Sequence, residues 1–166
     1  YQQPDGSFGT PLLSDWTALA FKSANVPMKA LKEYLVGGPG SLETATDFER
    51  RAMTLSAFRI NPAQEVSEIL NRFDGTQIGD PSLWNDDIFG LIALRAGGYD
   101  ESDIVIRSVA SSLIAVQKSD GSWGGVDLTA ASIQALVPIS SLPNVESALA
   151  KARGYLVSRQ QPDGCF

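Results

Sequence analysis

Apolar residues along this chain recur at helical spacing, and two kinds of helix alternate. One kind is apolar on nearly every face, as in segments 88–94 and 128–139, which is typical of buried helices. The other kind is one-sided. Between positions 145 and 156 apolar residues recur every three or four positions, and charged residues take the other faces. No segment shows sustained alternation with period two, so the pattern predicts an all-α protein.

Eight helices are predicted in this alternating order. The buried kind is expected at 14–25, 44–60, 88–94 and 128–139, and the one-sided kind at 28–35, 63–73, 102–117 and 145–156. Asn61-Pro62 and Pro143-Asn144 have the residue types of helix starts. The stretch from Thr46 to Glu49 has the spacing of a capping box. Gly-Gly pairs at 37–38 and 97–98 are expected to end helices.

A seven-residue turn recurs along the chain. We call its copies the N-terminal turn (residues 2–8), the middle turn (residues 117–123) and the C-terminal turn (residues 160–166), and a weaker echo lies at 73–79. Asp-Gly permits a tight turn with positive φ, and the glutamine can bond backbone groups of the loop. One unit covers about 40 residues, the size of a helix–turn–helix repeat. The repeat therefore predicts four helical hairpins with inner apolar and outer one-sided helices.

Composition narrows the chemistry that these hairpins could carry. The 166 residues include no histidine and one cysteine, Cys165, so histidine catalysis, histidine-ligated metals and an internal disulfide are excluded. A net charge of −6 and the lack of a basic run argue against binding to nucleic acid. No apolar run in the sequence is long enough for a membrane span. We expect one domain over 1–166. Because the chain begins at Tyr1, we expect flanking domains in a longer protein.

The Gln…Asp-Gly-Ser-aromatic element, followed by an apolar helix, resembles the repeat of the α/α-toroid superfamily. That superfamily includes squalene and other terpene cyclases, protein prenyltransferase β subunits, complement thioester domains and cobalamin carriers. Segments 47–51, 85–94 and 126–136 are similar to bacterial, surface-associated relatives of the cobalamin carriers. The resemblance covers essentially the whole chain. It implies an α/α toroid of about four hairpins, complete as an arc or part of a larger ring, in an extracellular or cell-surface protein.

The catalytic branches of this superfamily require residues that the chain largely lacks. Prenyltransferases use a zinc held by Asp, Cys and His, which cannot be built without histidine. A complement-type thioester needs a Cys-Gly-Glu-Gln arrangement, whereas Cys165 lies in Asp-Gly-Cys-Phe. The cyclase motif Asp-x-Asp-Asp has a partial match in which Trp84 replaces the first acid. In that match Asp86 is the proton donor and Asp87 lies beside it. We therefore expect no metal and no cofactor.

Functional residues in the superfamily tend to lie where inner helices begin. The corresponding candidates for ligand binding here are Trp16, Phe48, Trp84, Asp86, Asp87, Trp123 and Asp127. Helix capping and the helix macrodipole are the simpler explanation for the acids, because Asp is the expected residue at helix starts. Tryptophan and aspartate would suit a neutral or cationic ligand. We predict a non-catalytic ligand-binding or interaction module for a small molecule or glycan. The alternatives are a terpenoid cyclase that uses Asp86 as its general acid, and a structural repeat spacer.

Overall fold

The computed structural model describes residues 1–38 and 40–166. Its helices are α1 Pro11–Ser23, α2 Lys29–Gly37, α3 Ala45–Ala57, α4 Ala63–Leu70, α5 Trp84–Ala96, α6 Ile104–Ala115, α7 Val126–Leu136 and α8 Val145–Arg159. A short 3₁₀ helix, Val137–Ile139, follows α7. Across the described residues, β-type pairing is limited to one isolated bridge between Phe73 and Ile78. The predicted all-α class and the eight predicted helices are confirmed.

Side-chain caps fix the starts of two helices, α1 and α3. Pro11 begins α1, and the Thr10 hydroxyl accepts a hydrogen bond from the Leu13 amide at 3.2 Å, so an otherwise unpaired amide of the first turn is satisfied. At α3 the capping box is formed by Thr44 and Asp47. The expectation of a box from Thr46 to Glu49 was wrong because α3 begins one residue before Thr46.

The helices form two layers, as the alternating pattern predicts. Inner helices α1, α3, α5 and α7 pack in that order, and the most extensive contact is between α3 and α5. Each outer helix packs on the inner helix before it, so the hairpins are α1–α2, α3–α4, α5–α6 and α7–α8. Among the inner helices, α3 and α5 are the most buried, with seven buried residues each, which agrees with the apolar character that the sequence shows on most faces of α5.

The core consists of two apolar clusters of unequal size. The larger spans α3 to α8 and includes buried Ile69, Ile88, Leu94, Leu113 and Leu136. The smaller joins α1, α2 and α3 and contains the buried side chains of Ala18, Leu31, Leu35 and Leu55. Most of the buried apolar surface therefore lies in the last three hairpins. No helix in the described part of the chain is long and apolar enough to cross a membrane.

The middle turn joins neighbouring outer helices. The Trp123 indole N–H donates to the Leu113 carbonyl of α6 at 2.7 Å. The Gln117 side-chain amide donates to the Ala148 carbonyl of α8 at 2.9 Å. Gly121, at φ +89°, lies so close to α8 that a Cβ would overlap the Lys151 carbonyl. The repeated turn thus holds one hairpin against the next.

Candidate functional site

The four inner helices enclose one side of an open cavity of about 560 Å³. Its volume falls within the range of small-molecule sites. The lining residues are Trp16, Leu19, Met53, Ser56, Ala57, Phe89, Ile92, Ala96 and Gln134. Every inner helix contributes, so the inner layer is concave on this face. None of the lining side chains carries a charge.

Helical spacing explains how the sequence builds this wall. Met53, Ser56 and Ala57 occupy positions i, i+3 and i+4 of α3, so they share one face of the helix. Phe89, Ile92 and Ala96 do the same on α5 at intervals of three and four. Met53, Phe89 and Ile92 also pack against the larger core cluster. On α3 and α5 the cavity wall is therefore the partly exposed part of the same apolar surface that enters the core.

Two neutral polar side chains, those of Ser56 and Gln134, interrupt the apolar wall. The Ser56 hydroxyl is shielded from solvent and has no hydrogen-bond partner in the described structure. By contrast, the Thr54 hydroxyl on the same helix donates to the Arg50 carbonyl at 2.9 Å. An unpaired buried hydroxyl costs about 1–3 kcal/mol. Because its oxygen is out of reach of solvent, the Ser56 side chain must rotate toward the cavity before it can bond a ligand.

Of the seven candidates from the sequence, Trp16 alone is among the residues that line this cavity. Its side chain is 48% exposed, so it is accessible to a ligand. Asp86 instead lines a second cavity of about 520 Å³ near the starts of α3 and α5. There its carboxylate accepts hydrogen bonds from the Thr46 hydroxyl at 2.9 Å and the Asp80 amide at 3.1 Å.

The other candidates serve several different contacts. Phe48 is half-buried beneath the Arg72 guanidinium, which lies 4.6 Å from the ring centre. Trp84 is half-buried against the larger core cluster. Trp123 is 3% exposed, and its only polar atom already bonds α6. Asp127 is exposed in the first turn of α7. The structure therefore does not gather the seven residues around one cavity.

Buried carboxyl groups form a cluster between α3 and α5. Asp87 accepts a hydrogen bond from the Ile78 amide at 2.8 Å. Burial raises its pKa to about 6, although that hydrogen bond opposes the rise. Glu49 is 0% exposed, and neither of its carboxyl oxygens has a partner in the described structure. Burial, followed by the charges of Asp86 and Asp87, raises the pKa of Glu49 to about 9, so it is protonated at neutral pH.

An ion cluster joins α3 to α1 on the opposite side. Buried Asp15 lies 3.2 Å from Arg50 Nε and 2.8 Å from Arg51 Nε. Arg50 also reaches Asp47 at 2.8 Å. Burial disfavours the charged form of Asp47, but hydrogen bonds from Arg50 and Thr44 outweigh it and lower the pKa to about 2. The ion pairs connect two inner helices, although the buried Nη1 and Nη2 atoms of Arg51 have no hydrogen-bond partner in the described structure.

Most of the cavity wall lies outside the seven residues predicted from the sequence. Met53, Ser56, Phe89 and Gln134 belong to predicted inner helices, but the predicted site residues are at or near the helix starts. The available signal is the apolar character of the inner helices, which does not separate cavity wall from core. Within residues 1–38 and 40–166, no three His, Cys, Asp or Glu side chains are arranged so that they could hold a metal ion.

Comparison with family models, with curated proteins and with solved structures finds no match to this chain.

Proposed function

We propose that this chain is a non-catalytic binding module for an uncharged, mainly apolar small molecule. The observation that carries the proposal is the cavity lined by uncharged side chains from all four inner helices. Ligand sites are typically concave and apolar, with a few polar groups that orient the ligand. Here Ser56 and Gln134 are the polar groups. An ionised ligand group would lose hydration in this wall without meeting an opposite charge.

The repeat supports an α/α toroid as the architecture behind this site. Four hairpins with a concave inner layer fit an arc of such a toroid, and the recurring turn resembles the one in that superfamily. The same resemblance supports a place in a secreted or cell-surface bacterial protein with further domains. A glycan ligand has less support, because the cavity offers few hydrogen-bonding groups for its hydroxyls.

The terpenoid cyclase predicted as an alternative receives less support from the site. Its general acid, Asp86, would have to be protonated and face the cavity that holds the apolar substrate. Asp86 lines the second cavity, and both of its oxygens accept hydrogen bonds. Glu49 is the buried carboxyl with a strongly raised pKa, and it is not among the residues of either cavity wall.

Tryptophan fluorescence with matched ligands tests the proposal. A prenyl alcohol and the corresponding prenyl diphosphate share the apolar tail and differ in charge. We expect the alcohol to quench Trp16 saturably and the diphosphate to bind at least about tenfold more weakly, a difference of about 1.4 kcal/mol. Trp16→Phe should abolish the quenching while leaving the fold unchanged by circular dichroism.

Two variants, each with one alanine replaced by leucine, provide the structural control. Ala96 lines the cavity and Ala150 is exposed on α8. Ala96→Leu should weaken binding of the prenyl alcohol about tenfold, because the larger side chain occupies space in the cavity. Ala150→Leu should leave binding of the alcohol unchanged. If neither ligand changes the tryptophan fluorescence, the result favours the alternative in which the chain is a structural repeat spacer. Tighter binding of the diphosphate, or conversion of a polyprene into a cyclic product, would contradict the proposal directly.

A further inference from the structure

The two neutral polar side chains of the cavity wall, Ser56 and Gln134, differ in how easily a ligand can reach them. Gln134 is exposed on α7 and lines the cavity. The Ser56 hydroxyl is shielded from solvent, so its side chain has to rotate before it can bond a ligand. The other side chains of the wall are apolar apart from the indole N–H of Trp16. The Gln134 carboxamide is therefore the polar group of the wall that is open to a ligand without rearrangement.

Gln134 also differs from the glutamines that hold the repeated turns. Gln2 and Gln160 donate from their side chains to glycine carbonyls of their own turns. Gln117 does the same and also bonds α8. Gln134 lies on a helix and faces the cavity instead. A carboxamide carries a donor NH₂ and an acceptor oxygen, so its best partner is a ligand group that both donates and accepts.

Trp16 and Gln134 lie on different sides of the cavity. The inner helices pack in the order α1, α3, α5 and α7, and the axes of packed helices are about 8–10 Å apart. Between the helix of Trp16 and that of Gln134, the wall is formed mainly by apolar side chains of α3 and α5, among them Met53, Phe89 and Ile92. A ligand that contacts both sides is therefore elongated, and its middle part is apolar.

We propose that the ligand is an elongated apolar molecule with one hydrogen-bonding group at its end, a primary alcohol or a primary carboxamide. That group bonds the Gln134 carboxamide, and the apolar tail extends across α5 and α3 to the indole of Trp16. This assignment rests on the proposed function and adds to it the polar group of the ligand and its orientation. An ether accepts a hydrogen bond but cannot donate one, so it uses only the NH₂ of Gln134.

A prenyl alcohol and its methyl ether test the polar group, because the ether lacks the hydroxyl proton. Isothermal titration calorimetry should show that wild type binds the alcohol about tenfold more tightly, the effect of one hydrogen bond. Gln134→Leu should reduce this preference to about twofold or less. Gln64→Leu makes the same change at an exposed position of α4 and should keep the wild-type preference. If circular dichroism shows that Gln134→Leu is misfolded, Gln134→Met replaces it.

Brominated alcohols test the orientation, because bromine quenches only an indole that it contacts. Bromine at the tail end of the alcohol should quench Trp16, whereas bromine beside the hydroxyl should not. The contribution of Trp16 is the difference in fluorescence between wild type and Trp16→Phe. In Gln134→Leu the ligand loses its polar anchor, so both brominated alcohols should quench Trp16.

Ser56 is the competing partner for the polar group, and Ser56→Ala should leave the preference for the alcohol unchanged. Loss of the preference in Ser56→Ala instead of Gln134→Leu would overturn the proposal. So would stronger quenching of Trp16 by bromine beside the hydroxyl. Equal affinity of wild type for alcohol and ether would overturn the assigned polar group and leave the proposed apolar site intact. If neither compound binds, the proposed function fails, and this assignment fails with it.

Discussion

At the scale of single residues, Glu49 illustrates how the fold changes the chemistry of a side chain. In the sequence it lies in a charged stretch with two arginines, where solvent exposure would be the simple expectation. In the structure it is buried against α5, near Asp86 and Asp87, and the arginines turn to Asp15 on the other side of the helix. Glu49 is therefore held as a neutral acid.

The raised pKa of Glu49 predicts a fall in stability with rising pH. The unfolded chain releases this proton near pH 4.5, whereas the folded chain keeps it until about pH 9. Between these values the native state binds more protons, so the free energy of unfolding decreases as pH rises. Between pH 6.5 and 8.5 the loss is about 2–3 kcal/mol.

Glu49→Gln should remove that pH dependence, because glutamine is neutral throughout. Urea unfolding at pH 6.5 and pH 8.5 measures the difference, and Glu146→Gln on the exposed face of α8 is the control that should keep the wild-type slope. If the free energy of unfolding falls by the same amount between pH 6.5 and pH 8.5 in wild type and Glu49→Gln, the assignment of Glu49 as a neutral buried acid is contradicted.

At the scale of elements, the sequence of the repeated turn predicts its conformation. Its glycines adopt positive φ, +89° at Gly6 and Gly121 and +90° at Gly164, as the Asp-Gly pair indicates. The sequence also indicated that the turn would join neighbouring units. It could not show which copies lie against a helix, since that depends on where α2 and α8 pack.

Two matched glycine substitutions separate backbone strain from helix contact. Gly121 and Gly164 have nearly equal φ, so alanine costs about 1–2 kcal/mol of left-handed strain at either position. Gly121→Ala also forces a Cβ into the Lys151 carbonyl, which adds about 1–3 kcal/mol. Urea denaturation at low protein concentration should therefore show a larger loss for Gly121→Ala. Equal losses would mean that the turn does not pack tightly on α8.

At the scale of the whole molecule, the apolar core is unevenly distributed. The first hairpin shares the smaller cluster, and α2 packs mainly on α1. Helices α3 and α5 form the most extensive helix pair and contribute to the larger cluster. Local opening is easiest where few buried contacts must break.

Native-state hydrogen exchange should show this gradient. We expect amides in the middle of α2 to exchange at least about a hundredfold faster than those in the middle of α5, because α2 can open without disrupting the larger cluster. Uniform protection across both helices would indicate a single cooperative core.

The sequence by itself determined the features that depend on neighbouring residues. Periodicity separates inner from outer helices, Asp-Gly specifies the turns, and the missing histidines exclude whole classes of chemistry. Tertiary structure decided which side chains share an environment. It placed Trp16 in the cavity and Trp123 in the core, although both lie in or beside inner-helix starts. A cavity wall and a shifted pKa arise from groups on different helices, whose distances no local pattern contains.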